Sequence, residues 1–219
     1  MSSLAQRLRE DTRDLHTVAE RSGIMRPLLR GTLDPAGYGL LLRNLHEIYV
    51  AMEDGLDAHV GLSALTPFAH TGLRRAPRIA RDLDSIVGQG WERLPLAPTA
   101  QSYAARLVAL SASAPSLMLA HAYVRYLGDL SGGQQIARIV RRVLSVEMAG
   151  ATEFYDFPDI ADVDAFKHEV RAALDGVPFT DDDASAVVAE ARWGFEAHAT
   201  LFDELARLAA GESAGDLTS

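Results

Sequence analysis

The 219-residue chain contains no cysteine. Disulfides, thiolate metal centres and thiolate ligation of a cofactor are therefore excluded. No apolar run approaches the roughly 18–20 residues that cross a bilayer. The N-terminus, MSSLAQRLREDTRD, is charged and lacks the apolar core of a signal peptide. The expectation is a cytoplasmic protein without a membrane anchor. Positive charge is also short, with 21 Lys and Arg against 30 Asp and Glu, a net charge of -9. This argues against a nucleic-acid partner, and an anionic ligand would need a local basic patch. Alternating strands joined by two-residue turns do not occur. Nor does a G-x-G-x-x-G run after a strand, so the chain brings no flavin or nicotinamide site of its own.

Helical periodicity dominates what is there. With no repeat and no long linker, the chain reads as one all-α domain, 1–211, with a polar, disordered tail at 212–219. Leu4, Leu8, Leu15 and Ala19 mark a first helix that ends near Gly23. Asp34-Pro35 reads as an N-cap followed by proline in the first turn, opening a helix to about His59. A loop at 60–72 precedes a helix over 76–87 that stops at Gly88. Pro98-Thr99 opens another, to about Ser113. A long helix follows from Ala114-Pro115 to about Met148, then a loop over 150–161. Asp162 caps a helix to about Leu174, and Thr180 caps the last, 181–210, closed by Gly211.

The long helix carries the most unusual run, YVRYLGDLSGGQ (123–134). Three glycines in six residues cost a helix about 1 kcal/mol each relative to alanine. Gly128 and Gly132 share a face and bare a strip of backbone on which a large flat ligand could rest. Small-residue helix packing would also use them, but it leaves Tyr123, Arg125 and Asp129 unexplained. Ser131-Gly132 invites a kink. This run resembles the distal-helix signature of the haem oxygenases of the soluble, biliverdin-producing bacterial type. The similarity extends along most of 4–208, strongest at 4–20, 44–53 and 121–138.

The resemblance implies haem b held between a proximal N-terminal helix and a kinked, glycine-rich distal helix. The run LREDTRDLHTVAE (8–20) resembles the proximal segment, which makes His16 the iron ligand. Glu20, one turn on, is placed to accept the imidazole Nδ1–H and leave Nε2 for iron. Arg9, seven residues before His16, returns to nearly the same face about 10 Å away. A solvated helix face would also carry such charges. Lys167 and Arg171 share a face four residues apart and suit carboxylates. By resemblance, basic residues here, together with Tyr123, hold the haem propionates. Also by resemblance, Asp129 orders a water on the oxygen side rather than touching iron, and Tyr49 belongs to the same water network. Arg125 is placed to pair with Asp129 and hold it ionised. His121 falls beside the site rather than over the iron. His198 departs from the family's pattern on the last helix.

The implied activity is oxidative opening of haem, as substrate and cofactor, with O2 and external electrons, to biliverdin, CO and Fe2+. The donor would be a ferredoxin or a flavoprotein reductase. An acidic ferredoxin would need a basic docking patch, either Arg74, Arg75, Arg78 and Arg81 or Arg138, Arg141 and Arg142. A monomer is expected. The competing readings are a non-degrading haem carrier or gas sensor and, more distantly, a site for another planar ligand.

Overall fold

The computed structural model describes residues 2–144 and 151–218, and among these it contains helices and turns but no strand. The helices are α1 (Leu4–Asp11), α2 (Arg13–Glu20), α3 (Met25–Arg30), α4 (Pro35–Ala58), α5 (Ala76–Ile86) and α6 (Pro98–Ser113), then α7 (Met118–Ala122), α8 (Gly128–Val143), α9 (Val163–Asp175) and α10 (Asp181–Ala209). A π-helical turn, Tyr123–Leu127, joins α7 to α8.

The expected starts hold because their caps form. Asp34 accepts from Gly37 N at 2.7 Å with Pro35 in the first turn. Asp162 accepts from Ala165 N. Thr180 and Asp183 satisfy each other's backbone N–H in a capping box. Gly88 and Gly211 take positive φ just beyond α5 and α10.

Three expectations need correction. The first helix is not continuous to Gly23 but breaks at Thr12. There the buried hydroxyl donates to Leu8 O at 2.6 Å, back-bonding that bends helices. The break re-aims α2, which carries His16. The long helix departs from α geometry at Tyr123–Leu127, one turn before the predicted kink, while Ser131 and Gly132 lie in regular α8. A π turn of this sort is common where a helix wall serves a site. That helix ends at Val143, where Leu144 becomes extended; its expected end at Met148 lies outside the described residues. The polar segment from 212, expected as a disordered tail, is drawn into a short 3₁₀ turn, Ala214–Thr218, with Asp216 accepting from Ser213 N.

Helix α4 runs through the centre, packed against α5 and α6, and α10 lies against α1, α2, α6 and α7. One apolar core joins them, including Leu41, Leu42, Ile48, Leu107, Leu119 and Leu201. Gly23 permits the closest approach. It has φ +34, and a Cβ there would lie 1.9 Å from Phe202 O. The turn between α2 and α3 can therefore rest directly on α10, where Ile24 N donates to Phe202 O.

Buried polar groups fix the loop behind the site. Asp82 accepts from Glu153 N and Phe154 N, both at 2.9 Å. Arg75, fully buried, donates to the carbonyls of Gly72, Leu73, Phe154 and Asp156. Glu53 accepts from Arg75 N and Ala76 N at the start of α5 and from the Tyr126 hydroxyl. These bonds seat Phe154 and Tyr155 against the helices.

Candidate functional site

A cavity of about 420 Å³ opens between α2, α3, α4, α10 and the π turn with α8. That volume lies within the range of small-molecule and cofactor pockets. Of the seven histidines, only His16 and His198 line it. The π turn and α8 contribute Arg125, Gly128, Asp129 and Gly132. A second hollow of about 240 Å³ adjoins it, sharing His16, Val124, Gly128 and Phe195. Arg9, Arg13, Tyr123 and Arg171 line this extension.

His16 is about half exposed, at 49%, because α2 turns it outward from the core into this space. Its ring meets Phe195 edge-on at 5.7 Å. Glu20 lies on the same wall with Oε1 3.8 Å from His16 Nδ1, an electrostatic contact longer than a hydrogen bond.

The glycine strip is bare in the way the sequence implied. A Cβ added to Gly128 or Gly132 would meet nothing within 4 Å. Gly133 is different: its Cβ would lie 3.1 Å from Tyr155 Cδ1, so that glycine serves packing. The first two form a cradle that side chains would fill, as a flat ring lying on the helix requires.

Beside the strip, Asp129 Oδ2 accepts from the Tyr49 hydroxyl, and Oδ1 accepts from Arg125 Nη2 at 3.1 Å. Arg125 Nε also donates to the Tyr49 oxygen at 3.0 Å. Tyr49 is fully buried behind the wall, while Asp129 forms part of it. Burial pushes the Asp129 carboxyl above the usual carboxylate range, against the pull of Arg125 and Tyr49. Arg125 pairs with Asp129 as its spacing implied, and burial works against that pair.

The expected basic set is only partly assembled. Arg9 and Arg171 converge on Tyr123. Burial raises the Tyr123 pKa, and both arginine charges work against that rise. Lys167 is not on the wall; its Nζ pairs with Asp164 at 2.7 Å. Arg13 takes a place there instead. It lies four residues from Arg9, and that spacing was the available signal, obscured by the break at Thr12. His121 lies away from the cavity, fully buried. Tyr103 donates to its Nδ1 at 2.8 Å, and its Nε2 donates to Glu190 at 2.9 Å. Glu190 also takes two 2.6 Å bonds from Arg106.

Of the two candidate docking patches, the first is internally consumed. Arg75 is buried, Arg74 pairs with Asp57, and Arg78 and Arg81 pair with Glu153. In the second, Arg141 pairs with Asp156. Arg138 and Arg142 have no acidic partner among the described residues. With Arg30 they line a groove of about 580 Å³ that shares Leu29 and Gln135 with the cavity.

An all-α frame with the half-exposed His16 and a bare glycine strip on a common cavity defines a haem-binding class of site. The family model described as "Heme oxygenase" matches residues 2–204, and the chain belongs to that family. It is 38% identical over 207 residues to the "Heme oxygenase" of Porphyra purpurea, covering 94% of this chain and 87% of that one. The fold is similar to heme oxygenase-1 of Synechocystis in complex with heme, at TM-score 0.87 and 33% identity, covering 99% of this chain and 95% of that one. The heme oxygenase of Leptospira interrogans gives TM-score 0.88 at 33% identity, over 93% and 100% of the two chains. Among the described residues no helix is long and apolar enough to cross a membrane.

Proposed function

We propose that the protein is a haem oxygenase, opening haem to biliverdin, CO and Fe2+ with O2 and external electrons. The observation that carries this reading is the pairing of His16 with the bare Gly128 and Gly132 strip on one cavity, with Asp129 beside the strip. Bound haem supplies both the iron at which oxygen is reduced and the ring that is opened.

The chain's own residues divide the remaining work. His16 Nε2 would hold the iron, with Glu20 3.8 Å from Nδ1 on the same wall and placed to orient the ring. Arg9, Arg171 and Tyr123 receive the two propionates in the adjoining hollow and set the rotation of the ring. Gly128 and Gly132 keep side chains off the reacting face. Asp129, lifted toward protonation yet tied to Arg125 and Tyr49, is suited to pass a proton through an ordered water. Arg125 and Tyr49 hold the carboxylate in place. An acidic electron donor, a ferredoxin or flavoprotein reductase, docks at the groove of Arg30, Arg138 and Arg142 beside the cavity, where Arg138 and Arg142 have no acidic partner among the described residues. Charge complementarity supports that choice over the consumed cluster at 74–81.

Aerobic reduction of the haem complex tests the reading. Loss of the Soret band with a green bilin product supports it, whereas a stable oxy or ferrous spectrum means a carrier. Asp129→Ala should bind haem normally yet yield bilin about 10²–10⁴-fold more slowly. Arg138→Glu/Arg142→Glu should raise the KM for donor at low ionic strength and leave haem affinity unchanged.

A further inference from the structure

His198 stands on α10 one turn beyond Gly194, 2% exposed, with its ring on the wall of the main cavity. Nδ1 lies 2.7 Å from Gly194 O. A carbonyl only accepts, so Nδ1 carries the hydrogen, and the neutral ring must present a lone pair at Nε2. That Nε2 is buried and has no hydrogen-bond partner. Two other buried side-chain atoms among the described residues share this condition, Tyr38 Oη and Arg43 Nε, and neither residue lines the main cavity. A core histidine held for packing would have both nitrogens met, since an unmet buried acceptor destabilises the fold.

The surroundings keep the ring neutral and fixed. Tyr103 meets it edge-on at 5.1 Å and Phe202 at 5.8 Å. Burial first, and then the charge of Arg125, push the imidazole down to about 3. Its acceptor therefore persists throughout the physiological range.

We propose that His198 is a positioning residue whose Nε2 accepts a hydrogen bond from a cavity water and fixes that water's orientation. An acceptor without a hydrogen allows one polarity only. The water must point one O–H at Nε2 and turn its second O–H and its lone pairs into the cavity that Asp129 also lines. A water anchored at one end in this way is a defined member of a proton path rather than a disordered one. The consequence for turnover rests on the haem oxygenase reading, but the bound water does not.

The test begins on the haem-free protein, labelled with 15N-histidine, so that its outcome is independent of any activity. Long-range proton–nitrogen spectra should show His198 as the Nδ1–H tautomer with Nε2 shifted by hydrogen bonding, unchanged from roughly pH 5 to 8. An Nε2–H tautomer, a bare Nε2 or a titration in that range would overturn the proposal. His198→Leu should then keep the haem affinity and Tm of the wild type while kcat falls about tenfold or more. His198→Asn, whose amide oxygen restores an acceptor, should recover much of that rate. An unchanged rate in His198→Leu, or equal loss in both variants, would also overturn it. Should His198→Leu fail to fold, the wild-type nitrogen spectrum decides alone. A wild-type protein that binds haem without degrading it sinks the activity reading and leaves the spectrum as the judge of the water.

Discussion

Replacing Gly128 and Gly132 by alanine should move stability and haem affinity in opposite directions. Both residues lie in helix with negative φ, and a Cβ at either meets nothing within 4 Å. Folding should therefore gain the helix propensity of alanine, about 0.8–1 kcal/mol per site, with no steric offset. For the double variant that is about 2 kcal/mol, or roughly 4–8 °C in Tm for a domain of this size. The ligand meets the reverse. A flat ring resting on bare backbone sits about 3.5–4 Å away, and a methyl group projecting into that gap forces it back by about 1 Å. Each displaced contact then forfeits a quarter to a half of its attraction, and many contacts share the loss. Haem affinity should fall at least about tenfold, equivalent to about 1.4 kcal/mol. Gly133→Ala is the control. Its Cβ would press on Tyr155 at 3.1 Å, so it should gain little or no stability and leave the ring face untouched. Thermal denaturation of the haem-free proteins and haem titration of the same preparations measure both quantities. A Tm that falls in the double variant, or rises with haem affinity unchanged, would refute the assignment of these glycines to a ligand cradle.

His16→Ala should leave the haem-free fold intact, since the ring is half exposed, but abolish the proximal bond; added imidazole should partly restore the ferric spectrum. A wild-type spectrum without imidazole would mean that another residue ligates iron. Arg9→Ala/Arg171→Ala should weaken haem binding severalfold and relax the bilin isomer ratio, with each exposed charge contributing under about 1 kcal/mol. Lys167→Ala, already paired with Asp164, should change neither quantity, and bilin chromatography checks both variants. At Glu190, burial raises the carboxyl pKa, but Arg106 and His121 pull harder, bringing it down to about 2. With the folded value below the unfolded one, this contribution is full above about pH 4.5 and is lost as pH falls toward 2. Glu190→Gln should lower stability by roughly 2–3 kcal/mol at pH 7, and urea titrations should show the gap closing below about pH 4.5; a constant gap would disprove the coupling.

Local chemistry carried most of the helix map. Asp34, Asp162 and Thr180 supply caps that act within three residues, and Gly88 and Gly211 supply stops at positive φ, so their effects appear in any reading of the chain. The strip of Gly128 and Gly132 was legible for the same reason, because helical spacing places a residue on a face before anything packs against it, whereas His16 was singled out by the resemblance of its run to the family's proximal segment. Tertiary structure decided which faces meet. The break at Thr12 depends on a buried hydroxyl, and burial is a property of the fold rather than of the run around it. Arg13 joined the hollow and Lys167 left it because the turn of α2 and the competing carboxylate of Asp164 act in three dimensions. The upward push on Asp129 comes from desolvation by the whole core, which no sequence spacing encodes. The same holds at His198, where only the fold could place one ring nitrogen on a carbonyl and leave the other buried without a partner.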